Sequence, residues 1–376
     1  MSSDFMRVLV TGGAGFIGSH TTDMLIEKGY DVRIMDNLEN QVHQNKKPDH
    51  LNSSVEFVSG DINDKNLWRK VLSGVDAVIH LAAMVGVGQS MYQPVRYIMA
   101  NTVGTANMYE VILENPELKK QIQKIVVASS KSIYGEGAYK CKTHGTIYPN
   151  YREISQLEKG DWEVHCPSCG EHVEPVGVTE EKPVQNISIY ALSKYDTERV
   201  AIDFGIALGI PTVAFRYFNV YGPRQSLSNP YTGVIAIFLS RLKNSNPPIV
   251  YEDGNQLRDF IYIEDIARVN TLALESDSVT ADVFNVGSGR PTSLNRILEL
   301  LSGLTGINVD SDITKRFRPG DNRHDFSDIS KINKKLGYKP KFELKEGLRR
   351  LIEWSGTQEA IDKFNEAEEE RRKYFG

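Results

Sequence analysis

Short runs of apolar residues alternate along much of the chain with segments whose apolar positions recur every three or four residues. The runs are typical of buried strands and the periodic segments of amphipathic helices. The clearest helix pattern begins near His20 and ends at Gly29. Strands are predicted over residues 7–11, 31–36, 55–59, 77–80, 124–129, 211–216 and 283–286. Continuous apolar strands separated by helices predict a doubly wound α/β fold, with a parallel sheet covered on both faces.

The pattern becomes less regular after about residue 218, where proline and glycine turns interrupt the apolar segments. We therefore expect residues 218–376 to form mainly a smaller C-terminal α/β lobe. Residues 1–217 would form the main domain, which is discontinuous because later segments cross back to its sheet. A hydrophilic insert is expected at residues 138–177. The charged tail over 358–372 has helical character and is expected to be solvent-exposed.

The composition is that of an ordinary globular protein of 376 residues, 40% of them hydrophobic and 25% charged. Such a chain can bury a large core. Its formal net charge of −5 gives no overall attraction for nucleic acid or an anionic membrane, so we expect a small-molecule partner. No apolar run approaches the ~20 residues of a membrane span, and the first residues lack the pattern of a signal peptide. These features predict a cytoplasmic location.

A glycine-rich segment, Thr-Gly-Gly-Ala-Gly-Phe-Ile-Gly at residues 11–18, joins the first predicted strand to the first helix. Gly12, Gly15 and Gly18 would let the backbone approach a pyrophosphate at the positive end of the helix. Asp36 closes the second strand, at the spacing where a carboxylate binds the adenosine ribose hydroxyls and repels a 2′-phosphate. The segment therefore predicts a dinucleotide site that prefers NAD to NADP. Asp61 and Ile62 are candidates for adenine contacts, although an aspartate there is equally typical of a helix N-cap.

A tyrosine and a lysine four residues apart, Tyr190 and Lys194, would lie on one face of a helix. A nearby ammonium favours the phenolate, which allows tyrosine to take a proton from an alcohol near neutral pH. The same pair occurs on many helices without a catalytic role. It gains weight here from the glycine segment and from Ser129 and Ser130 at the end of an inner strand. We predict that Tyr190, Lys194 and Ser130 form a catalytic group.

Several motifs occur together along nearly the whole chain. In chain order they are the segment 11–18, His-Leu-Ala-Ala at 80–83, Asn101, Tyr190 with Lys194, Phe-Arg-Tyr-Phe-Asn at 215–219, Arg-Asp-Phe-Ile-Tyr-Ile-Glu-Asp at 258–265, and Arg-Pro-Gly-Asp at 318–321. This set resembles the extended short-chain dehydrogenase/reductase family, in particular its branch of nucleotide-sugar epimerases and dehydratases. The resemblance implies a Rossmann-type domain that holds NAD and a C-terminal lobe that binds a nucleoside-diphosphate sugar.

The resemblance also implies roles for individual residues. Tyr190 would be the base, Lys194 would lower its pKa and hold the nicotinamide ribose, and Ser130 would orient the sugar 4-hydroxyl. Cofactor contacts are implied for Gly12, Gly15, Phe16, Ile17, Gly18, Asp36, Asn37, Asp61, Ile62, Leu81, Ala82, Ala83, Asn101, Tyr190, Lys194 and Tyr217. Substrate contacts are implied for Ser130, Ser132, Asn219, Arg258 and Arg318, the last three at the diphosphate.

The reaction is indicated by two positions after Ser130. Dehydratases of this branch carry an acid pair where this chain has Lys131 and Ser132, and its decarboxylases usually keep a glutamate at the second position. Epimerisation at C4 needs no such acid, because one tyrosine serves both oxidation and its reversal. We therefore predict an NAD-dependent nucleotide-sugar 4-epimerase (an isomerase). A UDP-hexose or UDP-uronate 4-epimerase, a UDP-glucuronate decarboxylase and a net reductase stay open. So does a non-catalytic NAD-binding scaffold, although the intact catalytic group argues against it.

All three cysteines lie in the insert, as Cys141 with His144 and as the pair Cys166 and Cys169. Two pairs, each separated by two residues, are the pattern of a tetrahedral zinc site, and four protein ligands predict a structural role in a zinc-ribbon-like insert. A disulfide or a metal-free loop is the alternative, and His165 and His172 are substitute ligands.

The Cys-x-x-His and Cys-Pro-x-Cys insert is similar to that of a subgroup of the family that converts dTDP-L-rhamnose to dTDP-6-deoxy-L-talose. The family resemblance and the apolar positions of the helices after Asn101 and from Tyr190 also predict a homodimer.

Overall fold

The computed structural model describes residues 6–307, 311–318 and 320–375. Its strands are β1 Arg7–Thr11, β2 Asp31–Asp36, β3 Glu56–Ser59, β4 Ala77–His80, β5 Lys124–Ser130, β6 Ala138–Cys141, β7 Gly145–Ile147, β8 Glu174–Val176, β9 Thr212–Tyr217, β10 Asn219–Tyr221, β11 Ile249–Val250, β12 Leu257–Tyr262, β13 Ala281–Val286, β14 Pro291–Ser293 and β15 Asp312–Ile313.

The helices follow the strands along the chain. They are α1 Phe16–Glu27, α2 Asn40–His43, α3 Lys65–Leu72, α4 Val87–Ser90, α5 Pro94–Tyr97, α6 Gly104–Glu114, α7 Pro116–Gln121, α8 Ile154–Leu157, α9 Ile189–Leu208, α10 Val234–Lys243, α11 Ile263–Glu275, α12 Leu294–Thr305, α13 Ser330–Leu336, α14 Leu344–Ser355 and α15 Phe364–Phe375. A π-helical stretch, Ile98–Val103, leads into α6, and a 3₁₀ turn, Lys131–Tyr134, follows β5. Among the described residues, no helix has the length and apolarity needed to cross a membrane.

The main sheet has seven strands in the order β13-β9-β5-β4-β1-β2-β3, and every neighbouring pair is parallel. All seven predicted strands are present and begin and end within two residues of the predicted positions. The chain leaves β1 to one side of the sheet and returns through β4 on the other side. The α/β fold with a doubly wound parallel sheet is therefore confirmed, and the carboxyl ends of β1 and β4 form the crevice where such folds bind ligands.

Both faces of the sheet are buried, which explains why the strands are continuous apolar runs. Val8 and Val10 of β1 belong to one apolar cluster, while Leu9 between them belongs to the other. Side chains alternate between the faces of a strand, so each face needs its own apolar cover. Helices α1 and α11 pack together in one layer, and α9 packs against β5 in the opposite one.

The later part of the chain builds smaller sheets and also returns to the main one. Strands β10, β12 and β14 form a three-stranded mixed sheet, and β11 pairs with β15. In contrast, β13 closes the edge of the main sheet. The predicted division into residues 1–217, with later crossings, and residues 218–376 stays a prediction. Within the insert, β6 pairs with both β7 and β8 in an antiparallel sheet.

The end of the charged tail forms α15, and one side of this helix packs against Tyr92 and Tyr231. Glu370 accepts hydrogen bonds from the hydroxyls of Tyr231, at 2.5 Å, and Tyr92, at 3.2 Å. The Tyr374 ring stacks on Tyr92 with a centroid distance of 5.1 Å. The expectation of a solvent-exposed tail is therefore wrong for this side of the helix, because its acidic and aromatic residues pair with residues distant in sequence.

Candidate active site

The glycine segment forms a tight turn between β1 and α1. Gly12 has a φ of +65°, and a Cβ there would lie 2.8 Å from the backbone of Ala82 on the loop after β4. A Cβ on Gly18, in the first turn of α1, would lie 2.1 Å from the carbonyl oxygen of Gly12. No side chain fits at either position, so the backbone of two crossing segments meets at the helix N-terminus. This arrangement suits the approach of a pyrophosphate.

The carboxylate of Asp36 joins this turn to the end of β2. Its two oxygens accept hydrogen bonds from the backbone amides of Ala14, at 3.0 Å, and Leu38, at 2.9 Å. The side-chain amide of Asn37 donates to Asp61 at 3.0 Å. Asp36 is 7% exposed and faces the cavity, so its remaining acceptor capacity is directed at the space that a ribose would occupy.

A single cavity of about 380 Å³ brings together most of the predicted cofactor residues. Its lining includes Gly12, Gly15, Phe16, Ile17, Gly18, Asp36, Asn37, Asp61, Ile62, Leu81, Ala82, Ala83, Tyr190, Lys194 and Tyr217. The glycine cradle, the carboxylate and the catalytic group therefore face one space, and these residues fit an NAD molecule. Their roles stay predictions.

Asn101 is the exception among the predicted cofactor residues. It is 1% exposed and is absent from the cavity lining. Its amide accepts from the backbone of Met84 at 2.8 Å and donates to Met84 at 3.0 Å and to the Ser193 hydroxyl at 2.9 Å. Asn101 therefore does not reach the cavity, and its contact with the cofactor stays a prediction. Asn101 instead ties the loop after β4 to helix α9.

Helix α9 carries the proposed catalytic pair at its first turn. Ser188 caps the helix by accepting from the amide of Ala191 at 3.1 Å, and the hydroxyl of Ser90 accepts from the amide of Tyr190 at 3.0 Å. These contacts set the direction of the first turn. Tyr190 and Lys194 both line the cavity, together with Ser130 at the end of β5.

Burial shifts the pKa values of the pair in opposite directions. It lowers the pKa of Lys194 to about 8, against the opposing effect of the Glu198 carboxylate. It raises the pKa of Tyr190, while a hydrogen bond with Ser130 acts in the opposite sense. The net direction for Tyr190 is opposite to the sequence expectation, because desolvation penalises the phenolate.

The two positions where dehydratases carry acids hold no free carboxylate. The Lys131 ammonium pairs with Asp325, which is 1% exposed. The Ser132 hydroxyl donates to the Ser130 hydroxyl at 2.9 Å. Ser132 is absent from the cavity lining, so it supports Ser130 in this geometry. Sequence reasoning missed Asp325, because nothing near it in the chain indicates a partner 194 residues away.

The predicted diphosphate residues are not gathered in the cavity. Asn219 lines it and donates to the carbonyl of Asp259 at 3.0 Å. Arg258 and Arg318 do not line it. Arg318 donates to the Tyr251 hydroxyl at 2.9 Å, lies 4.2 Å over that ring and pairs with Glu368 of α15. Of the three residues only Asn219 therefore reaches the cavity, and the diphosphate contacts of all three stay predictions.

Residues of the later chain line the cavity without having been predicted. Asn229 and Tyr231 are part of the cavity wall. The side-chain amide of Gln41, just after β2, donates to Asn229 at 3.3 Å and thus joins the two halves of the wall. No local motif marks these residues, so sequence reasoning had no signal for them.

The sulfur and nitrogen atoms of Cys141, His144, Cys166 and Cys169 lie within 4.8 Å of one another. His144 Nδ1 is 3.5 Å from the sulfurs of both Cys141 and Cys166, and the sulfurs of Cys141 and Cys169 are 3.7 Å apart. A tetrahedral zinc with bonds of about 2.0–2.3 Å needs ligand atoms at about these separations. The donor set therefore fits zinc. His165 Nε2 instead donates a hydrogen bond to the Asp161 carboxylate at 2.8 Å, and its ring centroid lies 4.4 Å from that of His172.

Comparison with known proteins gives a consistent result. A model of the NAD dependent epimerase/dehydratase family matches residues 8–154 and 166–287. A dTDP-L-rhamnose 4-epimerase of Burkholderia thailandensis is 36% identical over 362 residues, which cover 93% of this chain and 95% of that protein. The part of the insert at residues 155–165 lies outside the family model.

Solved structures of two similar proteins contain the expected kinds of ligand. The UDP-glucose 4-epimerase of Thermotoga maritima, solved with UDP-glucose, is 32% identical with a TM-score of 0.76, covering 93% of this chain and 98% of that one. The UDP-glucose 4-epimerase of Thermus thermophilus, solved with NAD, is 29% identical with a TM-score of 0.74, covering 94% and 100%. The similarity therefore spans nearly the full length of each protein.

Proposed function

Since this chain belongs to the NAD-dependent epimerase/dehydratase family, we propose that it is an NAD-dependent nucleotide-sugar 4-epimerase. The observation that carries the proposal is the convergence of the glycine turn, Asp36, Ser130, Tyr190 and Lys194 on one cavity. The carboxylate at the end of β2 favours NAD over NADP, because it would repel a 2′-phosphate.

In the proposed reaction, Tyr190 takes the proton of the C4 hydroxyl and later returns it to the C4 oxygen. NAD, when bound, supplies reversible hydride transfer at C4, so that a 4-keto sugar forms and is reduced on its opposite face. Ser130 orients the C4 oxygen, and Lys194 supplies positive charge near the phenol. No external reductant is consumed, because the same residues serve both directions.

Epimerisation is favoured over dehydration by the chemistry beside Ser130. Lys131 and Ser132 offer no carboxylate, and the carboxylate that pairs with Lys131, that of Asp325, is buried. Elimination of water from the sugar needs a free acid and base in addition to the tyrosine. The site therefore supports removal and return of one hydride and one proton.

We propose dTDP-L-rhamnose as the first substrate to test, with dTDP-6-deoxy-L-talose as the product. The proposal is supported by the 36% identity to the Burkholderia thailandensis protein named dTDP-L-rhamnose 4-epimerase. A protein of Methanocaldococcus jannaschii with the same identity is named a putative UDP-glucose 4-epimerase, so UDP-hexoses are the alternative.

The test is incubation of the purified protein with dTDP-L-rhamnose, UDP-glucose, UDP-N-acetylglucosamine and UDP-glucuronate, followed by identification of the sugar products. We expect a C4 epimer from one of them without added NADH. Release of carbon dioxide from UDP-glucuronate, or a requirement for added NAD(P)H, would contradict the proposal.

A structural zinc ion bound by Cys141, His144, Cys166 and Cys169 is part of the proposal. It is supported by the donor set and by ligand separations that suit a closed tetrahedral site. Four protein ligands leave no position for substrate. Free thiols suit a reducing compartment, so we also propose a cytoplasmic location.

A homodimer is also proposed, through the helices on one side of the main domain. Exposed apolar side chains project there from α5, α6 and α9 and from the π-helical stretch. They are Val95 at 73% exposure, Ile206 at 64%, Leu113 at 56%, Met99 at 42% and Leu192 at 37%. Light scattering on the purified protein tests this directly, and a monomer at micromolar concentration would contradict it.

A further inference from the structure

The residues that flank the insert on both sides contact one segment of the C-terminal lobe, residues 321–328. At the first end, Glu136 is fully buried and accepts from the amides of Arg323, at 2.8 Å, and His324, at 3.3 Å. A Cβ on the next residue, Gly137, would lie 2.1 Å from the carbonyl oxygen of His324, so only glycine permits this approach. At the other end, the amide of Val178 donates to the carbonyl of Phe326 at 2.8 Å.

The middle of the insert contacts the same segment through charged side chains, of which Arg152 and Arg323 are buried and Glu163 is half-exposed. Glu163 accepts from Arg323 at 3.0 and 2.5 Å and lies 3.0 Å from His324 Nε2. The Arg152 guanidinium donates to the carbonyl of Asp321 at 2.9 Å and forms a bidentate pair with Glu252. Arg323 is fully buried. These contacts tie the segment to the insert. Arg323 also pairs with Glu252 and Asp253, so loss of Glu163 would weaken this attachment and would not leave the guanidinium unpaired.

The segment in turn holds one of the two arginines proposed for the diphosphate. The Arg258 guanidinium donates to the carbonyl oxygens of Asn322 and Arg323, each at 2.9 Å. Asp325 of the same segment pairs with Lys131, beside Ser130. A shift of the segment would therefore move Arg258 relative to the catalytic end of β5.

The insert has little apolar mass with which to keep its own shape. Its sheet consists of three strands of three to four residues, which is marginal for independent stability. The cluster of Cys141, His144, Cys166 and Cys169 joins the two parts of the insert across its sheet. Metal binding to such a cluster contributes folding free energy directly.

We infer that the metal-bound insert is a positioning element for Arg258, with Glu163 and Arg152 as the residues that transmit its position through segment 321–328. The inference rests on the proposed function, because it assigns Arg258 to the diphosphate of a nucleotide sugar. Loss of the metal or of Glu163 should weaken the grip on the diphosphate and leave NAD binding intact.

The test compares the zinc-loaded full-length protein with Cys169→Ser, which removes a ligand, and Glu163→Gln, which keeps all four. Glu158→Gln, an exposed glutamate of the same insert, is the matched control. The measurements are zinc content, hydrogen–deuterium exchange over residues 321–328, retained NAD, and calorimetric titration with UDP and with dTDP. KM and kcat are also measured separately for the nucleotide sugar that the protein epimerises.

We expect Cys169→Ser to lose zinc, to exchange faster over 321–328 and to bind the preferred nucleoside diphosphate about tenfold more weakly, an effect of the size of one lost charged hydrogen bond. Glu163→Gln should keep zinc and show the same change, by about threefold. In both variants KM should rise more than kcat falls, and Glu158→Gln should match the wild type.

Unchanged exchange over 321–328, or faster exchange with unchanged affinity for UDP and dTDP, would overturn the inference, as would a wild-type protein that binds neither nucleotide. Should Cys169→Ser fail to fold, Glu163→Gln decides the question. A wild-type protein that binds a nucleoside diphosphate but epimerises no sugar would refute the proposed function alone, while exchange and binding would still decide the role of the insert.

Discussion

The cofactor end of the site and the proposed diphosphate end are built in different ways. At the cofactor end, Gly12, Gly18 and Asp36 lie within one strand–turn–helix–strand unit, and Asp36 is bonded to an amide 22 residues away. At the diphosphate end, Arg258 reaches a carbonyl 65 residues away, and Arg318 pairs with a glutamate 50 residues away.

The two ends differ in how far their binding groups are positioned and free before the ligand binds. The glycine turn presents backbone groups that are already positioned, because no side chain fits between the crossing segments. The arginines instead have protein partners, and Arg318 is held by Glu368 and Tyr251. A diphosphate would have to compete with those partners. We therefore expect cofactor binding to be preorganised and substrate binding to involve an exchange of contacts.

The largest expected effect on turnover is at Tyr190, which would contact both cofactor and sugar. Tyr190→Phe should lower kcat by about 10²–10⁴-fold, because proton transfer to and from C4 is lost. Retained NAD, measured by its absorbance after release from the protein, should be unchanged. The exposed Tyr151→Phe is the control. Near-normal turnover by the Tyr190 variant would remove it as the base.

Cofactor binding can be weakened by a substitution at the Asp36 carboxylate. Asp36→Asn should weaken NAD binding by about 10–100-fold, because charged hydrogen bonds to the ribose are lost, while one acceptor remains for the backbone. Binding of NADP should weaken less or improve. Titration of both dinucleotides measures the ratio, with the exposed Asp203→Asn as control. An unchanged ratio would show that Asp36 does not face the ribose.

The cofactor end should also be the more sensitive to acid. His80 lies 2.7 Å from the Thr11 hydroxyl and 3.1 Å from that of Thr105, and burial lowers its pKa from 6.5 to about 3. Between these values only the unfolded chain binds the proton. The free energy of unfolding should therefore fall as the pH decreases below 6.5, by about 1.4 kcal/mol per pH unit.

Urea unfolding at pH 7.5, 6.5 and 5.5 measures this slope. His80→Gln keeps an amide that can meet both hydroxyls but has no proton to bind in this range. Its slope below pH 6.5 should be smaller by about one proton. Equal slopes for the two proteins would assign the acid sensitivity to other groups.

The smallest expected effect is a change in KM at the proposed diphosphate end, where Glu368 pairs with Arg318. If Glu368 competes with the substrate for Arg318, then Glu368→Gln should lower KM for the nucleotide sugar by about two- to fivefold, the size of a partly exposed ion pair. Glu366→Gln, on the exposed side of the same helix, should have no effect. A raised KM would mean that Glu368 positions Arg318 and does not compete with the substrate.

Features that depend on short stretches of chain were predictable. The seven strands, the glycine turn and the tyrosine–lysine spacing are local patterns, and the strands lie within two residues of their predicted positions. Asn101 shows the limit of a motif. The motif indicated a cofactor contact, which stays a prediction, and it gave no sign that the Asn101 amide joins Met84 to Ser193 inside the protein. A motif marks a position in the fold, and the neighbours of that position decide what the side chain touches.

The amino-acid sequence by itself determined the parallel sheet, the glycine turn and the two Cys/His pairs with two residues between their members, because each follows from periodicity, backbone sterics or spacing within a few residues. Only the tertiary structure decided that the charged tail packs onto Arg318, that Lys131 is paired with Asp325 and that the insert holds segment 321–328. These contacts join residues far apart in the chain, and a side chain carries no local mark of a partner that folding brings to it.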